Sequence, residues 1–141
     1  MNREAIYSAL WDKLQSINGF KSKSRRLQHW ADVEKRAQPA LFMAQTGEFA
    51  QTTTGQPTRW TLKVSLYIYV HTTMNQPPGP IINPLLDAVC NTVNELHPVT
   101  GRSLLGVDGV EWCRVEGNIE TDEGTLGDQA VAVVPVVIYA V

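Results

Sequence analysis

Four carboxylates, Glu120, Asp122, Glu123 and Asp128, crowd into the segment ETDEGTLGDQ. Acidic side chains at that density are what proteins use to hold divalent cations or to move protons. A calcium loop of the EF-hand kind alternates its oxygen ligands about a central glycine and closes on a glutamate. This segment has no such spacing. Glycoside hydrolysis needs two carboxyl groups facing each other across a sugar-sized cleft, which neighbours on one turn are poorly placed to do. Thr121, Gly124, Thr125 and Gly127 interrupt the acids as a connection between paired strands would, so the segment is predicted to be a hairpin turn.

The cationic run Lys21, Lys23, Arg25, Arg26, followed by His29 and Trp30, has the composition of a phosphate contact, with cations to neutralise a backbone and an aromatic to stack on a base. A solvated loop or a subunit contact uses the same residues. The chain as a whole favours those readings, because 14 acids against 12 bases leave a net charge of −2 and no global field for a polyanion. GRSLLGV places Gly101 and Gly106 as a phosphate loop would, but Val107 stands where the lysine is required. His29, His71 and His97 have no metal-ligand spacing, and Cys90 and Cys113 lie far apart, as small core residues of a reducing compartment do. No nucleophile motif surrounds any serine or cysteine. The expectation is a protein with no catalytic residue, metal or cofactor, and not an enzyme.

Something must position these side chains. The 141 residues, 43% of them hydrophobic, make one domain over 1–141. Arg3, Glu4, Asp12 and Lys13 interrupt the apolar N-terminal residues, and no run approaches the roughly 18 residues of a membrane span, so a soluble chain made in the cytoplasm is expected. Ile6, Leu10, Leu14 and Ile17 predict a helix over 2–18, with Asn2 as cap and Asn18-Gly19 as stop. LQHWADV reads as a strand edge or a loop, and PALFMAQ as a short strand. TGEFAQTTTGQPT reads as an exposed loop. Trp60, Leu62, Val64, Leu66, Ile68 and Val70 alternate along a strand, with Lys63, Tyr67 and Tyr69 on its other face. Asn83 and Pro84 are expected to start a second helix carrying Leu85, Leu86, Val89, Val93 and Leu96 inward, stopped by His97-Pro98. Strands over 109–119 and 129–139 follow, the second interrupted by Pro135, which suggests an edge or an open sheet face. The order predicts an α+β fold, a mostly antiparallel sheet with two helices packed on one face.

SRRLQHWADV, QPALFMAQTGE, WTLKVSLYIYV and EGNIETDEGTLGDQAVAVVPV together resemble a family of small tailed-phage and prophage tail-module proteins, the tail terminators of the minor tail protein U type. The resemblance covers nearly the whole chain. It implies a structural protein of the virion tail, at its head-proximal end. A homo-oligomeric ring, typically a hexamer, would cap the tail tube, stop polymerisation of the tube protein and present a surface to a head-completion or neck protein. DNA would pass through the lumen, and no membrane is involved. On that reading the loop 45–58 and KSKSRR face neighbours or the lumen. The interface candidates are Lys21, Lys23, Arg25, Arg26, Trp30, Glu48, Phe49, Arg59, Tyr67 and Tyr69. A second reading is a small nucleic-acid-binding protein using Lys21 to Arg26, and a third is another neck connector.

Overall fold

A computed structural model describes residues 1–73, 75–103, 105–123 and 127–141. Helix α1 spans Arg3–Leu14, capped by Asn2, whose side-chain oxygen accepts from the Ala5 N–H at 3.1 Å. It stops short of the expected Asn18. The Lys23 ammonium reaches back to the carbonyls of Leu14, Gln15 and Ile17, and Gly19, at φ +101°, turns the chain away.

KSKSRR is not only a connection. Strand β1, Ser22–Ser24, pairs in parallel with the first residues of β2, Ala40–Gln51. LQHWADV is neither strand nor open loop but contains a 3-10 turn at Trp30–Asp32, followed by another at Lys35–Ala37. β2 runs twelve residues, through the stretch expected to be a loop, because β3, Arg59–His71, pairs with it as far as Gln51. The ladder supplies the backbone partners that TGEFAQ lacks on its own, and a bulge at Thr46 absorbs the change of register.

Helix α2, Gly79–Val93, starts four residues before Asn83 and holds Pro84 inside it. The earlier start buries Ile82, and the hydrogen bond that Pro84 cannot donate lies close to the N-terminus, where one missing bond costs least. The helix ends at Val93, so Leu96 stands outside it and is exposed. Leu85, Val89 and Val93 are buried and Leu86 is partly so.

The single strand expected over 109–119 is two, β4 at Val110–Val115 and β5 at Glu120–Asp122, both paired antiparallel with β6, Gln129–Ala140. Pro135 explains the break. Its carbonyl accepts from Glu116 N–H at 3.1 Å, so it faces β4, yet it has no N–H to carry the ladder further. Accordingly β6 is not an edge. The sheet order is β1-β2-β3-β6-β4, with β5 beside β6.

The fold is therefore α+β, one domain with a mostly antiparallel six-stranded sheet and both helices on one face. Leu62, Val64, Leu66, Ile68 and Val70 point from β3 into the core as expected, opposite Ile6, Tyr7, Leu10 and Leu14 of α1. Even-numbered residues of β6, from Ala130 to Ala140, share that face. On the other face, the segment carrying the 3-10 turns lays Val33 over Ala40, Phe42 and Tyr69 to form a second, smaller cluster. The rest of that face is open.

Candidate interaction surface

The open area begins where the second cluster stops. β3 contributes Thr61, Lys63 and Ser65, and β6 contributes Pro135, Val137 and Tyr139; with Thr46 and Glu116 they line a shallow hollow of about 400 Å³. Odd-numbered residues of both strands fall here because their even neighbours are committed to the core. One wall is rigid. Arg114 lies over the rings of Trp112 at 5.7 Å and Tyr139 at 5.6 Å, and Glu116 accepts from Arg114 Nε at 3.2 Å and from the Tyr139 hydroxyl at 2.8 Å. The Tyr139 hydrogen bond, with Arg114 after it, holds the Glu116 carboxyl below its usual range. An apolar floor, two aromatic rings under a guanidinium and an exposed ion pair make a surface suited to contact with another macromolecule.

The interface candidates divide in two. Lys23 is engaged within the chain, its three carbonyl partners compensating a burial that lowers its pKa. Arg25 binds Glu4 at 2.6 Å. Glu48 accepts from Arg3 at 2.8 Å and from the Tyr7 hydroxyl at 3.1 Å, while Arg3 lies 4.7 Å over Trp60. Burial and that acidic partner push the Tyr7 hydroxyl up to about 12. Tyr69, expected to face outward, is covered: only 3% exposed, it packs against Phe42 and donates to Gln28 O at 2.7 Å. Trp30 and Tyr67 are partly buried beside it. Lys21, Arg26, Phe49 and Arg59 remain exposed.

The acidic segment is half strand. Glu120 and Asp122 belong to β5 and Glu123 follows it, so the hairpin expectation holds for the antiparallel pairing but its turn is shorter; Gly124 and Thr125 lie outside the described residues. Asp128 does something sequence spacing did not reveal. Its carboxylate meets His71 Nε2 at 2.8 Å and Lys35 Nζ at 3.2 Å, across 57 residues in the first case. His71 ends β3 and Asp128 precedes β6, so only the strand register brings them together. Gln38 is buried alongside and donates to Gln129 Oε1 at 3.2 Å. Gly101 and Gly106 lead into β4 rather than a helix, unlike a phosphate loop. Among the described residues no group of His, Cys, Asp and Glu could hold a metal ion. Cys113 is buried, which pushes its thiol up to about 12, and Cys90 is raised for the same reason.

The hydrogen bond from His71, then that from Lys35, holds the Asp128 carboxyl below its ordinary value of 3.8. A depressed carboxyl pKa stabilises the fold above the unfolded-state value and ceases to do so as the pH falls through the folded-state value. Asp128→Asn should therefore be less stable than wild type at neutral pH, and the gap should close as the pH drops below 3.8. Urea titrations at a series of pH values measure this, and a gap that persists at low pH contradicts it.

No helix among the described residues is long and apolar enough to cross a membrane. No family model matches the chain, and no curated protein does. A solved structure superposes on it with a TM-score of 0.53 at 15% identity, covering 99% of this chain and 95% of that one. At that identity the likeness establishes the fold.

Proposed function

We propose that this chain is a structural subunit of a tailed-phage particle, a tail terminator that assembles into a ring on the end of the tail tube. The family resemblance along the sequence suggests the role, and the open sheet face is the observation that carries it. Helices cover one side of the sheet, while the other presents Lys63, Pro135, Val137 and Tyr139 in a broad shallow hollow. Such a face suits a component completed by neighbouring proteins better than a catalyst, which needs an enclosed pocket. The partners are further copies of the chain, the tube protein and a head-completion protein, with DNA passing through the ring. The location is the head-proximal end of the virion tail.

The physical logic of termination is that a tube of identical subunits exposes the same unsatisfied interface after every addition, and growth stops when a different protein covers it. Lysates of an amber mutant should contain tube polymers of uncontrolled length without heads, and a supplied wild-type copy should restore both length and head attachment. Electron microscopy reads the two together. Normal-length tails lacking heads would assign a head-joining role instead, and normal virions would remove the proposal. Salt-sensitive DNA binding by the isolated subunit would favour the nucleic-acid reading.

A further inference from the structure

We infer that copies of this chain join head to tail with the outward side of α2 from one copy seated in the open sheet hollow of the next, Asp87 meeting Lys63; the inference rests on the ring reading and names its contact.

The outward side of α2 is poorly suited to water. Ile82, Leu85, Val89 and Val93 turn inward, which by the helical period sends Pro80, Pro84, Asp87 and Asn91 outward along one stripe about 16 Å long. All four are exposed. A helix with one solvated side ordinarily covers it with charged and polar residues, yet Asp87 is the only charge in GPIINPLLDAVCNTV. Two proline rings beside a single carboxylate make an apolar, acidic ridge. Of the charges on the helices, Arg3, Glu4 and Lys13 have ion partners, whereas Asp12 and Asp87 have none among the described residues.

The hollow carries the opposite sign. Pro135 and Val137 form its floor and Tyr139 an aromatic side. Phe49, 61% exposed, pairs with Thr61 in the row that continues to Tyr139, so it stands at the rim. Glu116 is already held by Arg114 and Tyr139. Lys63, exposed and without an ion partner among the described residues, is left as the free charge of the hollow. Glu120 points to the same side of the sheet but stands opposite Val133, four residues along β6 from Val137. An aromatic and apolar surface bearing one ammonium complements proline rings bearing one carboxylate.

The occupant is a second copy because each copy supplies both surfaces. The hollow and α2 lie on opposite sides of the sheet, so a copy that offers its helix to one neighbour keeps its hollow free for another. Such a contact is heterologous, and a constant rotation from copy to copy closes it into a ring. Charge also selects this pairing over its alternatives. Two hollows face to face bring ammonium towards ammonium, and two helices bring carboxylate towards carboxylate, whereas helix in hollow joins opposite signs.

The test is a charge exchange between the two surfaces. Lys63→Glu and Asp87→Lys each alter an exposed side chain, so circular dichroism should show the fold kept. In sedimentation each alone should raise the assembly midpoint by at least about tenfold, because like charges then meet in the hollow. The chain carrying both changes should recover the wild-type midpoint, since the pair is restored with its signs reversed. Lys21→Glu, the same change of charge outside the hollow, should assemble like wild type. Single variants that assemble like wild type, a double variant no better than the singles, or a Lys21→Glu variant as defective as Lys63→Glu, place the contact elsewhere while leaving the ring reading intact. A wild-type chain that remains a single subunit at every concentration overturns the contact, and tail length in the amber lysate then judges the terminator role separately.

Discussion

Leu66→Asp is expected to unfold the protein. Leu66 is fully buried, with Met43 beside it on β2 and Val134 beside it on β6, in the middle of the face that both helices cover. An aspartate there is either an unpaired buried charge or a proton-bearing carboxyl without partners, and either costs several kcal/mol. That is comparable with the roughly 5–15 kcal/mol that keeps a whole domain folded. Tyr67→Asp, one residue along, enters the opposite face, where the side chain is only partly buried and its ring touches Tyr69 at 6.3 Å. It should cost about 1–2 kcal/mol and leave a folded chain. Circular dichroism and urea titration compare them directly, and equal losses would mean that the strand's two faces are misassigned.

The strand carrying this prediction was fully legible in the sequence, and the reason is its period. Trp60 to Val70 alternate without interruption, so a single register satisfies burial. The same logic found both helices through their apolar stripes, but not their ends. Lys23 decides where α1 stops from outside the helix, and burial of Ile82 decides where α2 begins. TGEFAQ reads as loop because Gly, Thr and Gln carry little strand preference of their own; pairing with β3 imposes the strand on them. The break between β4 and β5 was within reach, since Pro135 is visible in the sequence, but its consequence falls on the neighbouring strand rather than on its own.

Site residues follow a similar division. Spacing alone ruled out a phosphate loop and an EF-hand, because those devices are written in consecutive residues. The Asp128 node depends on which strands become neighbours. Long-range pairing of this kind leaves no local signature. It also separates the cationic run into residues that hold the subunit together and residues that remain available to a partner, a distinction composition cannot make.

Lys23→Met should expose that separation. The substitution keeps the aliphatic stem but removes an ammonium that donates to Leu14 O at 3.1 Å, Gln15 O at 3.0 Å and Ile17 O at 2.7 Å. The Leu14 and Gln15 carbonyls close α1 and Ile17 O lies just beyond it, so the ammonium sits at the helix C-terminus, where the dipole favours a cation. Two of the three contacts are partly buried, so water replaces the lost donor only incompletely. Hydrogen bonds from a charged donor contribute about 1.5–3 kcal/mol, and the three share one group, so the expected loss is about 2–3 kcal/mol rather than their sum. Lys21→Ala and Arg26→Ala, two residues before and three after, should change stability by no more than about 0.5 kcal/mol, as exposed substitutions do. Urea titration of the three variants beside wild type reads the difference directly. A Lys23→Met variant as stable as wild type would show that the ammonium is dispensable to the helix and return it to the pool of surface cations.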